Sequence, residues 1–295
     1  MLRVTENMLY SQMNRGVMTA QRKAYDAQRI AQTGVRVNKP SDDPVAASRA
    51  NVIKSGISRL DSMENVSKRA LQELTAAESG MGHSLDILSR VQELALSASN
   101  GTLSDANRQE IGKEVSYLKD ELMSVANTRV LGEYIFSGLK TDTITFQSDG
   151  TYNGANGRRE VEVAPGIKVF TNYPGDQAFG DSNIIGTSSF DVLQNLFDAI
   201  ATNDTTAISA ELDNLEAIED QFITARGFLG SQMEAINSAD TLRTEIAHSM
   251  EIRRVETVDA DIVEAYSDLA RTQNALQAAV QQATKVINGM RNSIV

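Results

Sequence analysis

The sequence predicts a mainly α-helical protein with a small β-rich insertion, built from long antiparallel helical hairpins and coiled-coil ends. Apolar residues recur at a mean spacing of 3.5 residues over most of the chain, whereas glycines and the last two prolines concentrate in one internal stretch. Aromatic residues make up only 5% and tryptophan is absent. Seams of small and aliphatic residues at this spacing are typical of packed helices, and a stretch rich in turn residues interrupts them once.

The last helix, predicted over 259–294, carries the clearest seam. Its members lie seven residues apart: Ile262, Leu269, Leu276, Ala283 and Met290. Seven residues make two turns of a slightly underwound helix, so these side chains form one line. Because an exposed apolar line of this length is an association site, another helix is expected to cover it.

The first thirty residues contain a matching seam. Its members step by four and three residues: Met13, Val17, Ala20, Ala24, Ala27 and Ala31. Pairing the two ends closes a loop of more than two hundred residues, but the entropic cost of closure grows only logarithmically with length. The ends can therefore pair within one globular protein, or they can pair with each other and also with neighbouring subunits.

A short segment of turn-forming residues separates the first helix from the second. Its residues are Asn38, Pro40, Ser41, Asp42, Asp43 and Pro44. Gly34 can end the first helix, Ser41 or Asp42 can cap the next one, and Pro44 suits its first turn. We expect Asp43 to complement the positive end of a helix that begins near residue 43.

These signals divide the chain into five segments. The ends, 1–42 and 255–295, are predicted coiled-coil segments, and 43–139 and 187–254 form the two parts of a long-helix domain. The β-rich insertion, 140–186, is expected to hold four to six short strands. Its Asn-Gly pairs, Asn153-Gly154 and Asn156-Gly157, favour tight hairpin turns.

The long helix after residue 43 has polar residues inside its apolar register. They are Glu64, Ser67, Glu78 and Gln92. We interpret these interruptions as places where the helix changes its packing partner.

The composition limits which partners the protein can bind and how it could leave the cytoplasm. The formal net charge of -11 and a pI of about 4.8 argue against nucleic acid or an anionic membrane as a partner. The chain has no cysteine, no segment of 18 apolar residues and no apolar core of a classical signal peptide near its N-terminus. Passage out of the cytoplasm would then need a dedicated export machine.

The chain contains no recognisable catalytic constellation. His83 and His248 are isolated, and neither a phosphate-binding glycine loop nor a nucleophile elbow occurs. Asp259 and Asp261 could bind a cation, although capping of the terminal helix explains them more simply. We therefore predict no catalytic, metal or cofactor site, and no enzyme activity.

Several segments resemble the bacterial flagellin family. They are Thr33 to Arg49, with its Ser-Asp-Asp-Pro core, Val91 to Ala95, Asn127 to Gly138, and Asp259 to Ile262 with Leu269 to Gln277. They occur in the family's order and cover both helical ends of the chain. Against the family pattern, the chain does not close with a leucine-rich tail.

The resemblance implies a structural subunit of the extracellular flagellum, placed at the hook–filament junction between hook-associated protein 1 and the flagellin filament. It implies copies that assemble through their terminal helices, which are disordered before assembly. Export would use the flagellar type III pathway without a cleaved signal peptide, and a cytoplasmic chaperone would hold the C-terminal helix.

Two other functions remain open at this stage. One is flagellin, the filament subunit itself, which the compact insertion also fits. The other is a catalytic or regulatory helical protein, which would be a stable monomer with protease-resistant ends.

Overall fold

The computed structural model describes residues 2–100, 103–180 and 188–292, with side chains described from residue 8 to residue 289 in those ranges. Its helices and strands follow one another as α1 (Leu2–Thr33), α2 (Pro44–Ala98), α3 (Asp105–Ala126), β1 (Arg129–Val130), β2 (Glu133–Tyr134), β3 (Glu160–Ala164), β4 (Ile167–Phe170), α4 (Gly175–Phe179), α5 (Ser189–Thr202), α6 (Thr205–Val258) and α7 (Ile262–Asn292). The prediction of a mainly helical protein with a small strand insertion is confirmed.

The chain divides into two compact units. Unit 1 comprises Met1–Ser58 and Ile246–Val295, and unit 2 comprises Arg59–Glu245. Unit 1 therefore contains α1, α7, the first turns of α2 and the last turns of α6. The remaining helices and all four strands belong to unit 2.

The boundary between α1 and α2 lies where turn chemistry predicts it. Gly34 adopts a left-handed backbone conformation (φ +69°), and its N–H donates to the Ile30 carbonyl at 2.8 Å. This closes the C-terminus of α1 in the manner typical of glycine. Further along the chain, Ser104 caps α3 by accepting a bond from the Asn107 N–H.

Unit 2 holds the main hydrophobic core. Helices α2 and α3 run antiparallel, because His83 contacts Glu121 while Arg90 contacts Glu114. Several phenylalanines gather at the centre, where Phe179 lies 5.4 Å from Phe222 between ring centroids. Other buried members of this core are Leu74, Met81, Leu88, Leu122, Phe136, Phe146, Phe190, Leu193 and Leu196.

The strand insertion differs from the predicted four to six strands. Within 140–180 the structure has one antiparallel pair, β3 with β4, and a second pair, β1 with β2, precedes residue 140. The segment around Phe146 forms only an isolated bridge, because the side chain of Asn127 bonds both the N–H (2.9 Å) and the carbonyl (3.1 Å) of Phe146. The predicted end of the insertion at Gly186 lies outside the described residues.

The hairpin turn also lies elsewhere than predicted. β3 and β4 are joined at Pro165 and Gly166, and Gly166 has φ +78°. Gly154 instead lies so close to the Ser137 carbonyl that a Cβ atom there would be 2.6 Å from the oxygen. Glycine is required at this position because two chain segments approach each other closely, and not because the chain turns in a tight hairpin.

An ion network fastens the insertion to α2. The side chain of Glu73 is only 8% exposed, and its carboxylate accepts bonds from Arg159 Nη2 at 2.7 Å and Arg69 Nε at 3.2 Å. Both arginines also reach Glu133 on β2, at 3.3 and 2.8 Å. Four side chains thus join α2 to both strand pairs.

Candidate assembly surface

The predicted seam of α1 forms the least exposed side of that helix. Ala24 and Ala27 are buried, and the other predicted members are half-buried: Met13, Val17, Ala20 and Ala31. The partner is α7, which runs antiparallel to α1, since a shallow groove of about 240 Å³ brings Lys23 near Thr272 and Ile30 near Ala265. The two ends of the chain therefore contact each other along their seams.

The seam of α7 agrees with the predicted one at Leu269, Leu276 and Ala283. Its half-buried or buried positions alternate by four and three residues: Ala265, Leu269, Thr272, Leu276, Ala279, Ala283 and Val286. Ile262, predicted as the first member, is 63% exposed. The side chain of Met290 lies outside the described residues.

Backbone pairing fixes the two connectors to each other. The Arg36 N–H donates to the Val258 carbonyl, and the Ala260 N–H donates to the Gly34 carbonyl, both at 2.8 Å. Val35 and Asp259 form an antiparallel bridge between these bonds. The end of α1 and the start of α7 are consequently held together by main-chain contacts, which depend little on side-chain identity.

Asp42 organises the turn-forming segment between α1 and α2. One of its carboxylate oxygens accepts bonds from the backbone N–H groups of Asn38 (3.2 Å) and Lys39 (3.0 Å) and from Arg29 Nη2 (3.2 Å). Asn38 in turn donates to the Val35 carbonyl at 2.6 Å. These contacts tie the turn before α2 to the last turns of α1, while Pro40 and Ser41 lie exposed in the turn.

Asp43, rather than Ser41 or Asp42, caps α2. Its Oδ1 atom accepts from the backbone N–H groups of Val45 and Ala46 at 3.1 and 3.0 Å. Only the residue directly before the first helical position reaches those donors, and Pro44 occupies that first position. The prediction of Ser41 or Asp42 as the cap was therefore wrong by one or two residues.

Hydrogen bonds and neighbouring charges shift the pKa of two side chains near these connectors, Asp43 and Arg254. The Ala46 N–H, followed by Arg36, holds the pKa of Asp43 below its ordinary value. Bonds to Glu251, with a further contribution from Asp259, raise the pKa of Arg254.

The cap of α7 is Asp261, whose side chain accepts hydrogen bonds from the Val263 and Glu264 N–H groups, as its predicted capping role requires. Asp259 does not share this role and lies near Arg254 instead.

Both terminal helices have a further face that the sequence reasoning missed. On the side of α1 away from its seam, arginine alternates with large apolar residues at Arg15, Met18, Arg22 and Tyr25, all exposed. On α7 the exposed apolar residues include Val263, Tyr266, Val280 and Ile287. The spacing of three and four residues on α1 was the signal for this face, since it repeats the period of the seam half a turn away.

The described residues offer little for chemistry. His83 is about half exposed and contacts Glu121 at 3.0 Å. Across the ranges that the structure describes, no three His, Asp or Glu side chains are placed to hold a metal ion. None of the described helices combines the length and the apolar character that crossing a membrane requires.

Sequence comparison finds relatives of this chain among flagellar proteins. Residues 4–141 match the family model of the bacterial flagellin N-terminal helical region. Flagellar hook-associated protein 3 of Escherichia coli K12 is 28% identical over 96% of both chains, and the protein of the same name from Salmonella typhimurium matches equally. B-type flagellin of Pseudomonas aeruginosa is also 28% identical, but over 45% of this chain and 26% of its own.

Solved structures have the same fold. FlgL from Bacillus cereus gives a TM-score of 0.60 at 22% identity, covering 69% of this chain and 99% of its own. Hook-associated protein 3 from Legionella pneumophila gives 0.62 at 16% identity, covering 69% and 97%.

The chain is therefore similar to the bacterial flagellin family over its N-terminal helical region, and to hook-associated protein 3 over nearly its whole length. The two relatives that match 96% of the chain are both named hook-associated protein 3, whereas the flagellin of Pseudomonas aeruginosa matches 45% of it.

Proposed function

We propose that this chain is a structural subunit of the bacterial flagellum that acts at the hook–filament junction, connecting hook-associated protein 1 to the flagellin filament. The observation that carries this proposal is the match to hook-associated protein 3, which extends over 96% of both chains in two species. A match of that extent includes the terminal helices and the central unit together. No catalytic role is proposed, because these relatives are named as structural parts of the flagellum.

Copies of the subunit join through their terminal segments, 1–42 and 255–295. Support comes from the outer faces of α1 and α7, where large apolar side chains such as Tyr25 and Tyr266 are exposed. Apolar patches of this kind mark association sites in soluble proteins. In this proposal the seams pair the two ends of one chain, and the outer faces meet neighbouring copies.

Before assembly, the C-terminal helix is held by a cytoplasmic chaperone, and the chain leaves through the flagellar type III pathway without a cleaved signal peptide. The exposed apolar residues of α7, among them Val263 and Ile287, would need such protection in the cytoplasm. A chain that ends at Asp261 is expected to lose chaperone binding in a pull-down, whereas the full chain retains it. Equal binding of both would contradict the chaperone site.

Deletion of the gene tests the junction role directly. Cells without the protein should retain hooks, lack filaments and release flagellin into the medium, and the full chain supplied in trans should restore filaments. An antibody label on flagella should then mark a single point at the filament base. Intact filaments on the deletion strain would refute the proposal.

Flagellin remains the second candidate. The observation that favours it is the flagellar filament 30.7 kDa core protein of Treponema maltophilum, which is 25% identical over 75% of this chain and 78% of its own. A filament subunit would be labelled along the whole filament, and a junction subunit only at one point. The same micrographs therefore separate the two functions.

A further inference from the structure

The first turns of α2 present an exposed stripe that combines apolar and basic side chains. Val45, Arg49 and Val52 follow at steps of four and three residues, so they share one side of the helix. Val45 is 61% and Val52 is 71% exposed, which is unusual for two β-branched residues. No acidic residue occurs on α2 before Asp61, and within the described residues Arg49 forms no ion pair.

A stripe of opposite charge lies on α6, in unit 2. Asp213, Glu216, Asp220 and Ile223 follow at steps of three, four and three residues, and all four are exposed. The chain has no lysine or arginine between Lys168 and Arg226. Arg226 itself pairs with Glu78 at 2.6 Å. Within the ranges that are described, the three carboxylates of this stripe have no ion-pair partner.

The net charge of the chain is divided unequally between the two units. Unit 1 contains fourteen lysines and arginines against ten acidic residues, a formal charge of +4, and unit 2 contains fourteen against twenty-nine, a charge of -15. These two values give the -11 of the whole chain. Between copies, unit 2 repels unit 2 and attracts unit 1, so electrostatics favours contacts between unlike surfaces.

We propose that the Val45–Arg49–Val52 stripe of one copy docks on the Asp213–Glu216–Asp220–Ile223 stripe of a second copy. Three residues separate Arg49 from Val52 and also Asp220 from Ile223, so in one parallel register the guanidinium meets a carboxylate while valine meets isoleucine. In that register Val45 lies at the level of Glu216. A contact between two different surfaces of one chain is head-to-tail, and repeated contacts of this kind build rings or helical zones rather than closed dimers.

The inference rests on the proposed function, because the flagellum is where many copies would meet. The absence of cysteine in the natural chain makes a clean test possible. Two full-length variants, Val52→Cys and Ile223→Cys, are expressed together in the deletion strain, and isolated flagella are oxidised. A disulfide-linked dimer is expected only when both variants are present, and each variant alone should remain monomeric.

Charge reversal in the same background tests the electrostatic part. Arg49→Glu places a like charge opposite Asp220 and should reduce the cross-linked dimer about tenfold. Combining it with Asp220→Arg should restore the dimer to within about twofold of its original amount. The matched control is Lys54→Glu, an exposed base on the same helix about 140° away from Arg49, and it should leave the dimer unchanged.

The results distinguish this inference from the function on which it rests. Filaments that attach normally without a dimer between the two cysteine variants would overturn the docking but leave the junction role in place. A dimer formed by Val52→Cys alone would also overturn it, because the stripe would then contact itself. If the natural chain does not restore filaments to the deletion strain, the junction role is lost and the docking is overturned with it.

Discussion

Removing the carboxylate of Glu73 should destabilise unit 2 out of proportion to the size of the change. In Glu73→Gln the side chain keeps its shape but loses the charge that Arg159 and Arg69 share at 2.7 and 3.2 Å. Breaking a buried ion pair on one side costs roughly 3–5 kcal/mol, because the remaining charge is left uncompensated. Here both arginines are partly exposed and keep Glu133 as a partner, so we expect about 2 kcal/mol.

Thermal unfolding of the full chain provides the assay. For a unit of this size, 1 kcal/mol lowers the Tm by roughly 2–4 °C, so Glu73→Gln should lower the unfolding temperature of unit 2 by about 4–8 °C. Hydrogen exchange should locate the loss on β3 and on the middle of α2. The control is Glu64→Gln, which removes an exposed pair with Lys68 on the same helix and should leave the Tm unchanged.

A second variant separates charge compensation from a general need for polar groups. Glu73→Met combined with Arg159→Met replaces the buried pair by apolar side chains of similar length, which is often neutral or stabilising in other proteins. It should recover most of the stability that Glu73→Gln loses. If Glu73→Gln unfolds at the same temperature as Glu64→Gln, the network does not stabilise the attachment of the insertion and the reasoning fails.

Three further predictions concern single positions. Ala27→Asp places a carboxylate in the buried seam and should speed amide exchange along α1 and reduce filament attachment, whereas Gln28→Asp on the exposed side should leave both unchanged. The pKa of Asp43 lies below its ordinary value of 3.8, so its capping of α2 is complete above pH 3.8 and is lost as the pH falls through the lowered pKa. Amide exchange at Ala46 should follow this loss, and Asp43→Ala should abolish the pH dependence. Gly138→Ala would place a Cβ atom 1.8 Å from the Ala155 carbonyl oxygen and should yield little folded protein on expression, while Gly16→Ala meets no atom within 4 Å and should be tolerated.

Local signals predicted the helices well. The α1–α2 boundary depends on Gly34, Asp43 and Pro44, whose backbone preferences act over one or two residues, and the structure has both helix ends there. The periodic seams of α1 and α7 also predicted which sides of these helices contact each other, apart from Ile262.

Long-range polar contacts account for most of what the sequence did not predict. The alternating pattern around Phe146 predicts a strand. In the structure, however, the side chain of Asn127, nineteen residues earlier, forms hydrogen bonds with the backbone N–H and carbonyl of Phe146. Two of the polar interruptions in the α2 register, Ser67 and Gln92, have similar causes. Ser67 is buried because Arg243 on α6 donates to it at 3.3 Å, and Gln92 donates to Glu219 at 3.0 Å. Such pairs become visible only when the partner helix is in place.

The two units differ in what stabilises them, and this difference bears on assembly. Unit 2 buries aromatic and large aliphatic side chains around Phe179 and Leu74, whereas the small buried cluster of unit 1 consists of Val37, Ala46 and Val258. Its seams are built largely from alanine, and each buried CH₂ group contributes only about 0.8 kcal/mol. Long helices joined by so little apolar area are marginal in water, since most helical stability in proteins comes from tertiary packing. If neighbouring copies cover the outer faces of this terminal pair as proposed, we expect its order to be coupled to assembly, whereas we expect unit 2 to fold before the subunit has reached its place.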